Sequence, residues 1–193
     1  MYEEQIRAYM QNEIETLKRL DVQQIDAALQ LIQETYETQN TIYICGNGGS
    51  SATASHFQND FNKGISEYTK KKFCVSCLCD NVSTIMAIAN DIDFEEVFRF
   101  PLRGRMRKGD ILVAISGSGN SQNVLNAVQY THDVGNQVIG MTGYDGGRLK
   151  GLSDISLHVP INSMQITEDL HMMFGHLMMA IFYRVLCDKE HIA

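Results

Sequence analysis

His56 and Asp60 lie four residues apart in the stretch CGNGGSSATASHFQND, residues 45–60. On a helix that spacing puts an imidazole and a carboxylate on one face. Such a pair can share a metal ion or move a proton. A surface His–Asp pair is commoner than a functional one, so the surroundings decide. The segment ILVAISGSGNSQNVLNAV (111–128) interleaves Ser116, Ser118 and Ser121 with Gly117 and Gly119, between an apolar run and a helical run. The free N–H groups and dipole at that helix start attract an anion, and glycine lets the anion approach the backbone. Three hydroxyls exceed what one helix cap needs, so the loop reads as a phosphate site. CGNGGSSA repeats the arrangement one crossover earlier. A dinucleotide fingerprint is a weak reading there: Ser51 stands at its sixth position, and Asp80, the nearest acid at a strand end, is too far along. No GKS or GKT follows, so this is no Walker loop.

The loops need elements to hold them. Ile6, Tyr9, Met10, Ile14, Leu17 and Leu20 recur at helical spacing over 3–20, and Asp21 is a plausible N-cap for a second helix over 22–38. Apolar runs predict strands at 41–45, 72–79, 111–115, 137–141 and 155–159. Helices are expected at 50–63, 81–90, 121–134 and 165–187, with a short helical stretch near 94–106. This alternation implies an α/β protein with a doubly wound five-stranded parallel sheet covered on both faces. Ligands in such folds bind at the carboxyl ends of the strands, where the glycine-rich segments fall. One domain over 1–193 is expected, with a helical arm at 1–38 and the α/β core at 39–193.

Composition narrows the function. The chain has 193 residues, 44% of them apolar, and a formal charge of −7. That acidity argues against electrostatically driven nucleic-acid binding, and the KKK run at 70–72 reads as a solvated turn. The amphipathic, acidic N-terminus does not read as a signal peptide, and no apolar run approaches the ~20 residues of a membrane span. Five cysteines, an odd number, fit a cytoplasmic protein with reduced thiols. In FCVSCLC, Cys74, Cys77 and Cys79 read as core cysteines of a buried strand, and Cys45 as packing near the site. His132, His158 and His191 receive no role. HMMFGHLMMAIFYRVL (171–186) is apolar nearly all round, which suggests burial at a subunit interface.

CGNGGSSATASHFQND, AIANDIDFEEVF, ISGSGNSQNV, TGYDGG and EDLHMMFGH, taken together, resemble the phosphoheptose isomerase branch of the SIS (sugar isomerase) domain family over nearly the whole chain. The resemblance implies a flavodoxin-like single domain. It also implies a cytoplasmic homotetramer with active sites between subunits and one zinc ion per subunit. Its substrate would be a phosphorylated sugar, sedoheptulose 7-phosphate, converted to an aldoheptose 7-phosphate. By the same resemblance, Ser116, Gly117, Ser118 and Ser121 hold the phosphate, and Asn47, Gly48, Gly49, Asn90 and Asp91 contact the sugar. His56, Asp60, Glu168 and His176 ligate the metal, Glu168 also touches substrate, and Asp60 and His176 share the acid–base work. His171 is either second to that site or a packed interface residue.

Three positions depart from the family pattern, all at the reacting end of the sugar. Asp60 stands where a glutamate is usual, one methylene shorter. Glu168 replaces an amide; Gln165 would supply one, at the expense of the histidine spacing. Lys63-Gly64 replaces a Gly-Arg. Glu168 and His176 are also eight residues apart, about 12 Å along an ideal helix, which strains joint chelation of one ion. Two further readings therefore stand beside the isomerase: a non-catalytic SIS domain that senses a sugar phosphate or regulates a protein partner, and an isomerase of another ketose phosphate.

Overall fold

The computed structural model describes residues 1–187; His191 lies outside them. In chain order the elements are α1 (Glu3–Leu17), α2 (Val22–Glu37), β1 (Ile42–Gly46), α3 (Gly49–Asn59), β2 (Val75–Cys77), α4 (Val82–Asp91), α5 (Arg99–Leu102), β3 (Ile111–Ser116), α6 (Gln122–Asp133), β4 (Gln137–Thr142), α7 (Gly147–Leu152), β5 (Ile155–His158) and α8 (Met164–Leu186). The five strands form one parallel sheet in the order β2-β1-β3-β4-β5. Alternate strand residues face opposite ways. Ile42, Ile44, Ile111, Val113 and Ile115 pack under α2, α3 and α8. Tyr43, Cys45, Leu112 and Ala114 pack under α4–α7. The central strands β1, β3 and β4 are therefore apolar on both faces, whereas the edge strands β2 and β5 turn Ser76, Ser156 and His158 to one face.

Several boundaries differ from the expectation, each for a physical reason. β2 covers only Val75–Cys77 because it is an edge strand whose outer side is closed by side chains. Asn62 Oδ1 accepts from the Val75 N–H at 2.8 Å, and Gln58 Oε1 from the Cys77 N–H at 2.6 Å. Cys77 is buried and Cys79 half-buried, but Cys74 precedes the strand and is exposed, which corrects its reading as a core residue. The stretch 94–106 breaks into a 3-10 turn at Phe94–Glu96 and the single turn of α5. The lysine run is a turn whose Lys71 and Lys72 ammonium groups donate to backbone carbonyls.

The helical arm is α1 alone. Asp21 caps α2 through the N–H groups of Gln23 and Gln24, and Ile25, Ala28, Leu31, Ile32 and Tyr36 of α2 belong to the core. α1 leaves Ile6, Tyr9, Met10, Ile14 and Leu17 exposed and ties back through the Tyr9 hydroxyl, which donates to Asp169. α8 differs from the expectation in the other direction. Its apolar surface goes mostly into its own chain, through Ile166, Leu170, Phe174, Met178 and Phe182. The exposed apolar stripe lies on α1 instead. Among the described residues no helix is long and apolar enough to cross a membrane.

His171 is 1% exposed on the inner face of α8, and neither ring nitrogen makes a hydrogen bond. Burial holds its pKa down at about 4, with the Thr142 backbone opposing the shift in part. Burial also lowers His158, which shares a 3.0 Å hydrogen bond with Thr142 Oγ1. The unfolded chain binds the His171 proton more tightly, so stability is fully present above the unfolded value near 6.5 and is lost as pH falls toward 4. We expect a loss of roughly 3 kcal/mol across that window from His171, read by urea denaturation at several pH values. His171→Leu should flatten that part of the acid slope.

Candidate active site

The order β2-β1-β3 makes β1 and β3 neighbours whose following helices cover opposite faces of the sheet. A crevice opens at this switch point, and ligands bind there in open α/β sheets. Gly46 at the end of β1 is registered with Ile115 in β3, so the loops 47–48 and 117–121 diverge from one place. A reciprocal amide pair joins them. Asn47 Nδ2 donates to Asn123 Oδ1 at 2.9 Å, and Asn123 Nδ2 donates to Asn47 Oδ1 at 2.9 Å. Asn123 is buried and was not singled out by the sequence, because an amide in the first turn of a helix ordinarily reads as a solvated or capping residue.

The serine loop leaves the start of α6 without a side-chain cap from Ser121. Ser121 is the N-cap of α6, yet its side chain caps nothing; Ser116 Oγ donates to Ser121 Oγ at 3.1 Å instead. The Val124 N–H donates to Asn123 Oδ1 at 2.9 Å, and the Gln122 and Asn123 N–H groups at the helix start keep their electrostatic pull for a ligand. Gly119 has φ +67°, and a Cβ there would overlap the Gly146 carbonyl, so this turn requires glycine. Gly117 lies against Met164 and Thr167 of α8. A cavity beside the loop is lined by Ser118, Asn120, Tyr144, Asp145, Asn162 and Met164.

Three side chains meet where α8 packs on α3. His56 Nε2 lies 2.9 Å from His176 Nε2, and Asp60 Oδ2 lies 3.2 Å from His56 Nε2 and 3.8 Å from His176 Nε2. All three donor atoms fall within 4.8 Å of one another. Asp60 Oδ2 is buried and accepts no hydrogen bond, because the nearby ring N–H directions do not point at it. A buried oxygen without a partner is costly. A nitrogen–nitrogen–oxygen set with that oxygen unsatisfied suits a divalent cation such as zinc. The residues therefore fit the metal that the resemblance implied.

Two local features bring these atoms together. The α-helical ladder of α3 ends at Asn59, and Asp60–Gly64 form a π-helical turn. Such turns insert one residue and re-aim the side chains that follow. That change of ladder begins at the aspartate that is one methylene short of the usual glutamate. The second feature is Gly175. A Cβ there would overlap the Phe57 ring, so its absence lets α8 close on α3 and set His176 beside His56. A lone glycine inside a helical pattern signals such close packing.

Glu168 does not join the group, which corrects its expected place among the metal ligands. Its carboxylate packs against Gly49, on the loop expected to contact sugar. The reason is the eight-residue separation from His176 along the regular helix α8. Gln165 is exposed one turn earlier. Asn90 and Asp91 sit exposed at the end of α4, where Asn90 Nδ2 donates to Asp91 Oδ1 at 2.8 Å. They meet none of the other expected site residues through a hydrogen bond. Lys63 pairs with Glu67 at 2.6 Å. Cys45 is fully buried behind the first loop, and burial pushes its thiol well above the usual range. His132 pairs with Asp154 at 3.1 Å, away from the crevice.

The SIS domain family matches residues 2–143. The phosphoheptose isomerase of Aliarcobacter butzleri is 38% identical over 152 residues, which cover 79% of this chain and 80% of that relative. The phosphoheptose isomerase of Rhodospirillum rubrum is 32% identical over 190 residues, covering 96% of this chain and 100% of its own. Among solved structures, phosphoheptose isomerase from Neisseria gonorrhoeae superimposes with a TM-score of 0.87 at 30% identity, over 95% of this chain and 100% of that one.

Gly175→Ala should separate the two histidines. We expect a loss of about 1–3 kcal/mol in stability from the overpacked Phe57 contact. Weaker zinc retention should accompany it, measured by competition with a chromophoric chelator.

Proposed function

Because this chain belongs to the SIS domain family, on its phosphoheptose isomerase branch, we propose that it interconverts sedoheptulose 7-phosphate and an aldoheptose 7-phosphate. One observation carries the reading: the chain brings together a His56–Asp60–His176 donor set whose buried Asp60 oxygen is unsatisfied, in a fold that also carries a serine loop whose Ser121 side chain leaves the start of α6 uncapped. The loop suits a phosphate, and the donor set suits the carbonyl end of a sugar.

In the proposed reaction, Ser116, Ser118, Ser121 and the α6 N–H groups bind the phosphate and fix the far end of the substrate. That anchoring positions C1 and C2 beside Asp60 and His176. Asn47, Gly48, Gly49, Asn90, Asp91 and Glu168 are the proposed sugar contacts. Zinc is the proposed metal, held by His56, Asp60 and His176; when bound it supplies a Lewis acid that polarises the sugar carbonyl. Asp60 removes the proton from one carbon and His176 manages the proton on the neighbouring oxygen. The enediol then collapses with the proton returned to the other carbon.

The assembly we propose is a homotetramer. The apolar stripe of Ile6, Met10, Ile14 and Leu17 on α1 is the surface that supports it, together with Met86, Ile92 and Phe94 around the exposed Asn90 and Asp91. Light scattering should report a tetramer, and Met10→Glu combined with Ile14→Glu should lower the oligomeric state. A monomeric parent protein would contradict the proposal.

The reaction is tested by NMR in D₂O with sedoheptulose 7-phosphate and zinc-loaded protein. The expected result is deuterium at C1 or C2 and growth of the aldoheptose, with Asp60→Asn and His176→Ala each slowing this by at least ~10²-fold. Sugar signals that shift on binding without conversion would favour a sensor, and conversion of a different ketose phosphate would move the substrate assignment.

A further inference from the structure

The opposite end of the sheet carries a separate concentration of positive charge. Residues 103–108 read RGRMRK, so Arg103, Arg105, Arg107 and Lys108 place four cations in six positions of a chain whose formal charge is −7. The segment joins α5 to β3 and lies at the amino ends of the strands, one strand length from the serine loop. A cavity of about 450 Å³ opens there, walled by Gln39, Asn40, Thr41, Tyr43, Arg105 and Arg107.

The cations in this segment are not equivalent. Arg103 is engaged with Glu96 at 3.3 Å. Among the described residues, the Arg105 and Arg107 side chains take part in no hydrogen bond or ion pair. Asp110 also borders the cavity, but its carboxylate is buried and already satisfied. Oδ1 accepts from the Thr41 N–H at 2.8 Å and Oδ2 from the Arg107 N–H at 2.7 Å. The same two bonds hold the base of the loop rigid. Tyr43 is 8% exposed, and burial and Asp110 raise its pKa, with Arg105 and Arg107 opposing the rise. Both guanidinium groups therefore reach the neighbourhood of a phenol that stays protonated and can donate.

An unpaired guanidinium presents a planar fork of N–H donors that matches a phosphoryl group. Two of them beside a neutral hydroxyl, around one half-open cavity, describe a pocket rather than a charged stripe. The acidity of the whole chain disfavours a nucleic acid, whose binding depends on neutralising many phosphates at once. We propose that this cavity binds a small phosphorylated anion at a site distinct from the serine loop.

Inorganic pyrophosphate is the probe, titrated into the full chain and followed by amide NMR and calorimetry. Two binding events are expected. The amides of Thr41, Gly104 and Arg105 should move in one, and those of 117–121 in the other. The double variant Arg105→Ala with Arg107→Ala changes only exposed side chains, and it should weaken the first event at least tenfold while leaving the second in place. A single event confined to the serine loop would overturn the proposal. So would a first event that survives the double variant. Equal weakening by Lys108→Ala alone would also overturn it, because that result means diffuse attraction to positive charge.

Discussion

The structure depends on the adjacency of β1 and β3 at the centre of the sheet. Their chains leave the same end and turn toward opposite faces, so a crevice must open between them. Both glycine-rich loops start from that end, and the Asn47–Asn123 amide pair ties one to the other. Because each amide gives a donor and an acceptor to the other, the loops cannot move apart without leaving the buried Asn123 amide short of partners. The anion-directed N–H groups of α6 and the start of α3 are thereby held in one frame.

The His56–Asp60–His176 cluster is set by packing of α8 on α3. Gly175 permits the close approach to Phe57, and the π-helical turn at Asp60 re-aims a shortened carboxylate toward the two histidines. The resulting cluster is costly at one atom: the buried Asp60 Oδ2 lacks a donor. Local rules are broken where function demands it, and the surrounding core of Phe61, Phe174 and Phe182 supplies the offsetting burial.

Charge is divided along the strands. The carboxyl ends use backbone N–H groups and hydroxyls, which attract an anion without net charge. The amino ends carry the arginines of 103–108 in a protein that is acidic as a whole. The two ends thus differ in chemistry, and β1 runs between them, from Ile42 near the basic cavity to Gly46 beneath the first glycine-rich loop.

Periodicity and local chemistry determined much of this protein from the sequence alone. The apolar runs specified the central strands, the serine–glycine alternation specified a turn between a strand and a helix start, and the spacing of His56 and Asp60 put them near one another. These features are local: each depends on residues within a few positions of one another. Tertiary structure decided the rest. It separated α2 from α1, reduced β2 to three residues at an edge, and sent most of the apolar surface of α8 into its own core. It turned Glu168 onto Gly49, away from the histidines, and gave Asn123 and Gly175 their tasks. It also drew Arg105 and Arg107 around one cavity with Tyr43, which comes from a strand more than sixty positions earlier. The pattern of a segment states which of its faces is apolar, but not which other segment will lie opposite. That choice is made only when the elements pack.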